Sequence, residues 1–414
     1  MAKPAEKSRN ANLSYEDFVR YVDKVFHLFD VFRNVNDPRG ANKTIPLPDT
    51  LTAAFMMLSL RFPGMNSFFN AELSMNQSVR NCCTHPKEGS GMPFSRSTVE
   101  RHLAMVAADV FKEKLWQDAQ TARRNKVFAD NRVDGYTIGI IDGIQTFHST
   151  KKKCTENCLT AHHRNGTESY SHKVAVLSIP CIGPTGHMVL SYEMLRAGDP
   201  VKKDEGEITG AKRLLKGPDE HLPGLIDIVT GDALYANAPC VNAMREAGAV
   251  AVIRVKGDNR TLIKDADERF NIGKGTKTSF KARNRTGDHY VVTATFDDDF
   301  VMPGVEEPVR MVRFTEIPIL KDGTLDTRTK DGRRIREEKT FYMLSTDLSI
   351  SVETIWKLRM CDGTLRMHAS MCCQQNAILS TCSPTRQPSR SSLSCCWLTI
   401  CLSSTCTGTG QEIL

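Results

Sequence analysis

Residues 225–259 read LIDIVTGDALYANAPCVNAMREAGAVAVIRVKGDN. An apolar run closes on Gly231-Asp232, a helical pattern follows in APCVNAMREAG, and a second apolar run, AVAVIRVK, ends at Lys256. Strand, helix, strand in this order predicts neighbouring strands of a sheet with a helix laid over one face. Upstream, YTIGIID (136–142) reads as a buried strand. HKVAVLSIP (172–180) and HMVLSYEML (187–195) read as two more, joined by a Gly-Pro-Thr-Gly turn, and EGEITGAKRLLK (205–216) reads as a helix. Three strands, helix, strand, helix, strand is the pattern of a mixed α/β sheet flanked by helices, assigned to residues 130–259. Downstream, TSFKAR, HYVVTATFD, VRMVRFTEI and KTFYMLST are strands spaced by Gly, Asn and Asp turns. They make residues 260–346 an all-β insertion. SVETIWKL then starts a final core helix at 347–360.

The first 125 residues have another texture. Residues 1–12 read as a disordered tail and 13–125 as an all-helical region. SYEDFVRYVDKVFHLF (14–29) places Phe18, Val22, Val25, Phe26 and Phe29 on one helical face, with Ser14 as a cap. PLPDTLTAAFMMLSL gives a second helix. A third, MPFSRSTVERHLAMVAADVFKEKLW, carries Val99, Leu103, Val106 and Val110 as its stripe.

Length sets the scale: 414 residues correspond to roughly two or three domains. A hydrophobic content of 40% and a charged content of 25% fit a soluble globular chain. The net charge of +7 permits a polyanionic partner without requiring one. No apolar run reaches membrane-spanning length, and the polar N-terminus lacks a signal-peptide core. A cytoplasmic location is expected, with no membrane partner. In that reducing compartment the 14 cysteines are thiols or metal ligands.

Two acids close predicted strands: Asp142 ends GIID and Asp232 ends IVTGD. Ligands of α/β sheets sit at strand ends, and two carboxylates brought together there can hold Mg²⁺. Asp after a strand is also a common turn residue, so the pair in this strand order carries the reading, not either residue alone. The blocks IDGIQTFHST, GDPVKKDEGEITGAKRLL and DALYANAP…IRVKGDN, followed by a β insertion, resemble the DDE transposases of bacterial insertion sequences over roughly residues 130–358. The resemblance implies a ribonuclease-H-like core. Asp142 matches the first catalytic acid and Asp232 the second, and the pair binds two Mg²⁺ or Mn²⁺ ions with a Glu on a late helix. It implies cleavage of DNA phosphodiesters and transfer of the freed 3′-hydroxyl to a target. The partners implied are terminal inverted repeats and target DNA, with a homodimer to hold both ends and a nucleoid-associated location. A metal-dependent nuclease on the same fold, or a non-catalytic DNA-binding remnant, are the alternatives.

The third acid should follow IWKL in a pattern like Arg-Trp-x-x-Glu-Asn-x-x-Phe, yet the chain has RMCDGTLRMHASM there. Residues 361–414 hold 8 of the 14 cysteines and two acidic residues, Asp362 and Glu412. Codons begun at the third base of the Cys361 codon permit Arg-Trp-x-x-Glu-Asn-x-x-Phe in register. Residues 361–414 are therefore read as out of frame and disordered, and the chain as an inactive enzyme. A Cys-rich zinc tail is the plainer alternative, but its cysteines lack a clean pair of C-x-x-C knuckles. Programmed frameshifting to a truncated regulator is another.

Cys154 and Cys158, with His162, His163 and His172 nearby, form a possible zinc set; a hairpin with unliganded thiols is preferred, so zinc is not expected as a cofactor. Lys151, Lys152 and Lys153 beyond Asp142, with Arg254, Lys256 and Arg260 around the end of the fifth strand, are the candidate DNA-phosphate contacts. A solvated charged edge is the plainer account of any one of them. SRSTVERHL reads equally as the recognition part of a helix-turn-helix or as plain helix packing.

Overall fold

The computed structural model describes residues 15–359 apart from 61, 63–64, 71–81, 84–93, 104, 107, 130–131, 152, 154–157, 181–186, 199–202, 217–221, 223, 285–286 and 331–332. The predicted disordered tail, the Gly-Pro-Thr-Gly turn and the whole of 361–414 lie outside the described residues. The chain divides into two compact units, whose described parts are residues 15–121 and 122–359.

Helices build the first unit, as the sequence implied: α1 (Tyr15–Phe26), α2 (Leu28–Asn34), α3 (Leu47–Ser59), α4 (Met65–Asn70), α5 (Arg96–Leu103) and α6 (Lys112–Arg124). The run read as one helix over 14–29 is broken at His27, whose φ of 52° is left-handed. The break lets Phe29 and Phe32 both turn inward, edge-on to Phe55 and Phe111 at ring separations of 5.5 and 6.2 Å. The run read as one helix over 92–116 is also two pieces. α5 ends at Leu103, and a 3₁₀ turn, Ala108–Phe111, precedes α6.

A mixed ten-stranded sheet with helices on its faces makes the second unit. Its strands are β1 (Ile138–Ser149), β2 (Leu159–His162), β3 (Glu168–Pro180), β4 (His187–Met194), β5 (Ile228–Gly231) and β6 (Val250–Val255). They continue with β7 (Thr276–Arg283), β8 (His289–Phe300), β9 (Val309–Ile319) and β12 (Lys339–Ser345), while β10 (Thr329–Lys330) and β11 (Arg333–Arg334) form a separate small ribbon. The order is β2-β3-β1-β5-β6-β12-β9-β8-β7, with β4 also on β3. β1, β5 and β6 run parallel, and the other pairings are antiparallel.

Residues 276–345 extend the same sheet, because β12 pairs with both β6 and β9. The segment read as β-rich from residue 260 starts with a helix, α9 (Arg260–Asn271), which buries Leu262, Ala266 and Phe270 at a four-residue spacing. Helix α7 (Glu207–Lys216) lies against β3 and β4, and α8 (Ala238–Glu246) against β6. Helix α10 (Val352–Leu358) packs Ile355, Trp356 and Leu358 with Ile138, Ile140, Val252, Phe341 and Met343. Alternation along a strand then sorts the rest. Asp142 and Arg254 share the face of Ile140 and Val252, under α10. Ile141 and Gly143 share the other face, under α7.

Candidate active site

β1 and β5 pair in parallel through Ile138↔Ile228 to Ile141↔Gly231. Asp142 and Asp232 are the next residue on each strand, so they leave adjacent backbones at one level, about 5 Å apart. Asp142 is 6% exposed and accepts from the Gly143 amide at 2.9 Å. Asp232 caps the 3₁₀ turn Ala233–Tyr235 by accepting from the Leu234 amide at 2.9 Å. That cap redirects the chain sharply, and it explains why β5 stops there.

β1 does not stop there. It runs to Ser149, held by β3 through pairs such as Gln145↔Lys173 and Ser149↔Tyr170. Asp142 thus lies within a strand, where its parallel partner ends, and not at a strand terminus as the sequence reading had it. The polar run GIQTFHS hid this continuation, because backbone pairing and not an apolar pattern sustains it. Lys151 and Lys153 are correspondingly displaced, more than about 20 Å along the strand from Asp142. Both are exposed, and Lys153 lies 5.7 Å from the centroid of Tyr170. Lys152 falls outside the described residues.

Gly143 has a purpose that composition alone did not reveal. A Cβ there would overlap the carboxyl group of Glu207, the first residue of α7. Glu207 therefore reaches β1 one residue past Asp142, from the opposite face. An acid at a helix start followed by an apolar stripe was visible in EGEITGAKRLLK, but its approach to residue 143 was not. Tyr235 closes the same end of the sheet. It is 0% exposed, and its hydroxyl has no hydrogen-bond partner among the described residues. Burial raises its pKa, and the charges of Glu207, Asp142 and Asp232 raise it further.

Of the other basic candidates, Arg254 is half-buried, with its guanidinium 5.6 Å from the Phe341 centroid, so it is a stacked side chain and not a solvated edge charge. Lys256 follows directly after β6, and its amide faces Asn259 Oδ1 at 3.5 Å. Asn259 also donates to the Ala236 carbonyl at 3.0 Å, tying this loop to the turn after Asp232. Arg260 opens α9, on the far side of that loop.

Cys154 falls outside the described residues. Cys158 is buried beside Tyr170. His162 pairs with Glu168 at 3.1 Å, and His163 bonds Ser169 at 2.8 Å, so these imidazoles are turned to other partners than Cys158. Among the described residues, no three His, Cys, Asp or Glu side chains make a ready metal-ligand group. The all-oxygen donor pair Asp142 and Asp232 fits a hard divalent ion as part of a ligand set. Also among the described residues, no helix is long and apolar enough to cross a membrane.

No curated protein matches the chain. The transposase DDE domain family matches residues 145–358, from just after Asp142 through Asp232 to the end of α10. That span is more than half of the 414 residues, and the chain belongs to the transposase DDE domain family.

Proposed function

We propose that the chain descends from an insertion-sequence transposase with a ribonuclease-H-like core, whose Asp142 and Asp232 hold divalent metal ions for DNA strand cleavage and transfer. The observation that carries this is the parallel register Ile141↔Gly231, which sets the two aspartates side by side. A second supports it: α10, the late helix, starts on the face of the sheet that carries Asp142. An acid further along that helix would come over the aspartate pair. When bound, Mg²⁺ or Mn²⁺ supplies nucleophile activation and neutralises charge on the leaving oxygen. The protein's own part is positional. Asp142 and Asp232 present oxygens from rigid strands, Lys256 and Arg254 offer charge to the phosphate backbone, and a dimer holds two DNA ends.

The missing acid after IWKL favours a second reading for the chain as it stands, a DNA-binding remnant without cleavage. One experiment separates these and the nuclease alternative. The chain and a frame-restored version are incubated with Mg²⁺ and supercoiled DNA carrying the element's terminal repeats. The restored protein is expected to cut and join strands, and Asp142→Asn or Asp232→Asn to abolish both. The present chain is expected to bind without cutting. Nicking without joining by the restored protein identifies a nuclease, and no cutting at all sinks the catalytic assignment.

A further inference from the structure

Three adjacent strands meet at the aspartate end of the sheet. β5 and β6 pair through Val229↔Ala251, and carrying that register three residues on sets Arg254 level with Asp232. Arg254 is on the face that α10 covers, and its neighbour across β12 is Met343. Arg359, the residue that caps α10, comes down on the same spot. Its guanidinium is 5.4 Å from the Phe341 centroid and 4.4 Å from that of Trp356, while Arg254 lies 5.6 Å from the same Phe341 ring. Two cations thus lie against one aromatic ring.

Their charge is only half balanced. Glu316, 4% exposed, forms an ion pair with Arg359 and accepts from Trp356 Nε1 at 2.6 Å. Among the described residues Arg254 makes no ion pair, and its buried Nε has no hydrogen-bond partner. Burial lowers the basicity of Arg359, and the like charge of Arg254 acts in the same direction. With Asp142 and Asp232 assigned to metal ions on the proposed reading, two guanidiniums are left against one carboxylate, and the cluster has room for an anion. A guanidinium fork matches the oxygens of a carboxylate or a phosphate, and phosphate is the anion that DNA brings.

We infer that Arg254 and Arg359 form a clamp for one DNA phosphodiester, beside the aspartate pair and on the same face of the sheet. Glu316 and Trp356 fix Arg359, and Phe341 supplies the floor on which both guanidiniums lie. The clamp rests on the DNA-processing reading and sharpens it, because it fixes where the backbone of the cut strand lies relative to Asp232.

The test is binding of the full chain to a short fluorescent DNA duplex of random sequence, titrated over a series of KCl concentrations. Arg254→Gln is expected to lower the slope of log affinity against log salt by about 0.9, the value of one lost phosphate contact. Arg254→Lys keeps the charge and so the slope, but loses the fork, with affinity at fixed salt falling about tenfold. Glu316→Gln keeps an acceptor for Trp356 while removing the competing charge, and is expected to tighten binding. Thermal unfolding of each variant checks the fold. Salt series for Arg254→Gln that superimpose on the parent overturn the clamp. If Arg254→Gln does not fold, unchanged affinity in Arg254→Lys overturns it instead. Absence of DNA binding by the parent chain at every salt concentration defeats the DNA-processing reading and the clamp together.

Discussion

A side chain at position 231 has nowhere to go. A Cβ on Gly231 would fall 2.8 Å from the Tyr235 ring, 2.9 Å from Ile141 Cγ2 and 3.1 Å from the Ile141 carbonyl oxygen. Tyr235 is fully buried and the carbonyl belongs to a neighbouring strand, so neither yields cheaply. Gly231→Ala should therefore destabilise the protein by about 1–3 kcal/mol, the usual cost of overpacking. Gly143 meets only the far end of a flexible Glu207 side chain, which can swing aside. Gly143→Ala should cost less than about 1 kcal/mol while displacing that carboxyl group. Urea unfolding of the two variants checks the contrast, and equal losses would mean that Glu207 is held as firmly as Tyr235. Two apolar runs that each reach an Asp are a local pattern and bring Asp142 and Asp232 to notice, although β1 continues to Ser149 and only β5 stops at its Asp. Gly143 and Glu207 were not legible together, since 64 positions separate them and only the packing of α7 on β3 brings them into contact.

Among the elements, α5 carries a titratable group built into its packing. His102 is 5% exposed, shares a hydrogen bond between Nδ1 and Thr50 Oγ1 at 3.0 Å, and has Arg39 2.5 Å from Nε2. Burial pushes its pKa down from 6.5 to about 4; the charges of Arg39 and Arg101 add to the shift, and Asp37 opposes it. The depressed value means that the unfolded chain binds the proton more readily between pH 4 and 6.5. The stabilisation is thus fully present above about pH 6.5 and is lost on acidification toward pH 4, on the order of 1–3 kcal/mol in all. The thermal midpoint of the helical unit should fall over that window, and His102→Gln should flatten the dependence. A parallel pH profile in the variant would assign the loss to other groups.

The same scale shows what sequence patterns reach. The strands at 172–180, 187–195 and 250–255 are rich in apolar and β-branched residues, and strands are found there. Helix α9 has a readable stripe of three buried residues but is short and surrounded by strand-like segments. The break at His27 has no local signal, because aromatic packing several turns away decides it. The β2 segment, Leu159–His162, is an edge strand of four residues whose exposed positions give no alternation to read.

At the scale of the whole chain, the second unit is a single hydrogen-bonded ladder from β2 to β7. The strands after residue 275 carry much of the core that α10 covers, including Val292, Ala294, Val312 and Phe314. The 361–414 tail was read as out of frame because the Arg-Trp-x-x-Glu-Asn-x-x-Phe pattern appears in another frame, and that reading was purely sequence-based. A fold made of one ladder cannot shed its C-terminal strands without exposing the side of β6 and the apolar face beneath α10.

β12 is therefore a keystone, paired with β9 over seven residues and with β6 over four. Native-state deuterium exchange should find the amides of β1, β6, β8 and β9 opening in one step with a common denaturant dependence. Exchange of β8 and β9 at a markedly lower free energy would show that they melt as a separate foldon. If they open together, damage anywhere along that ladder, including at its β7 margin, is felt as lost rigidity at the aspartates.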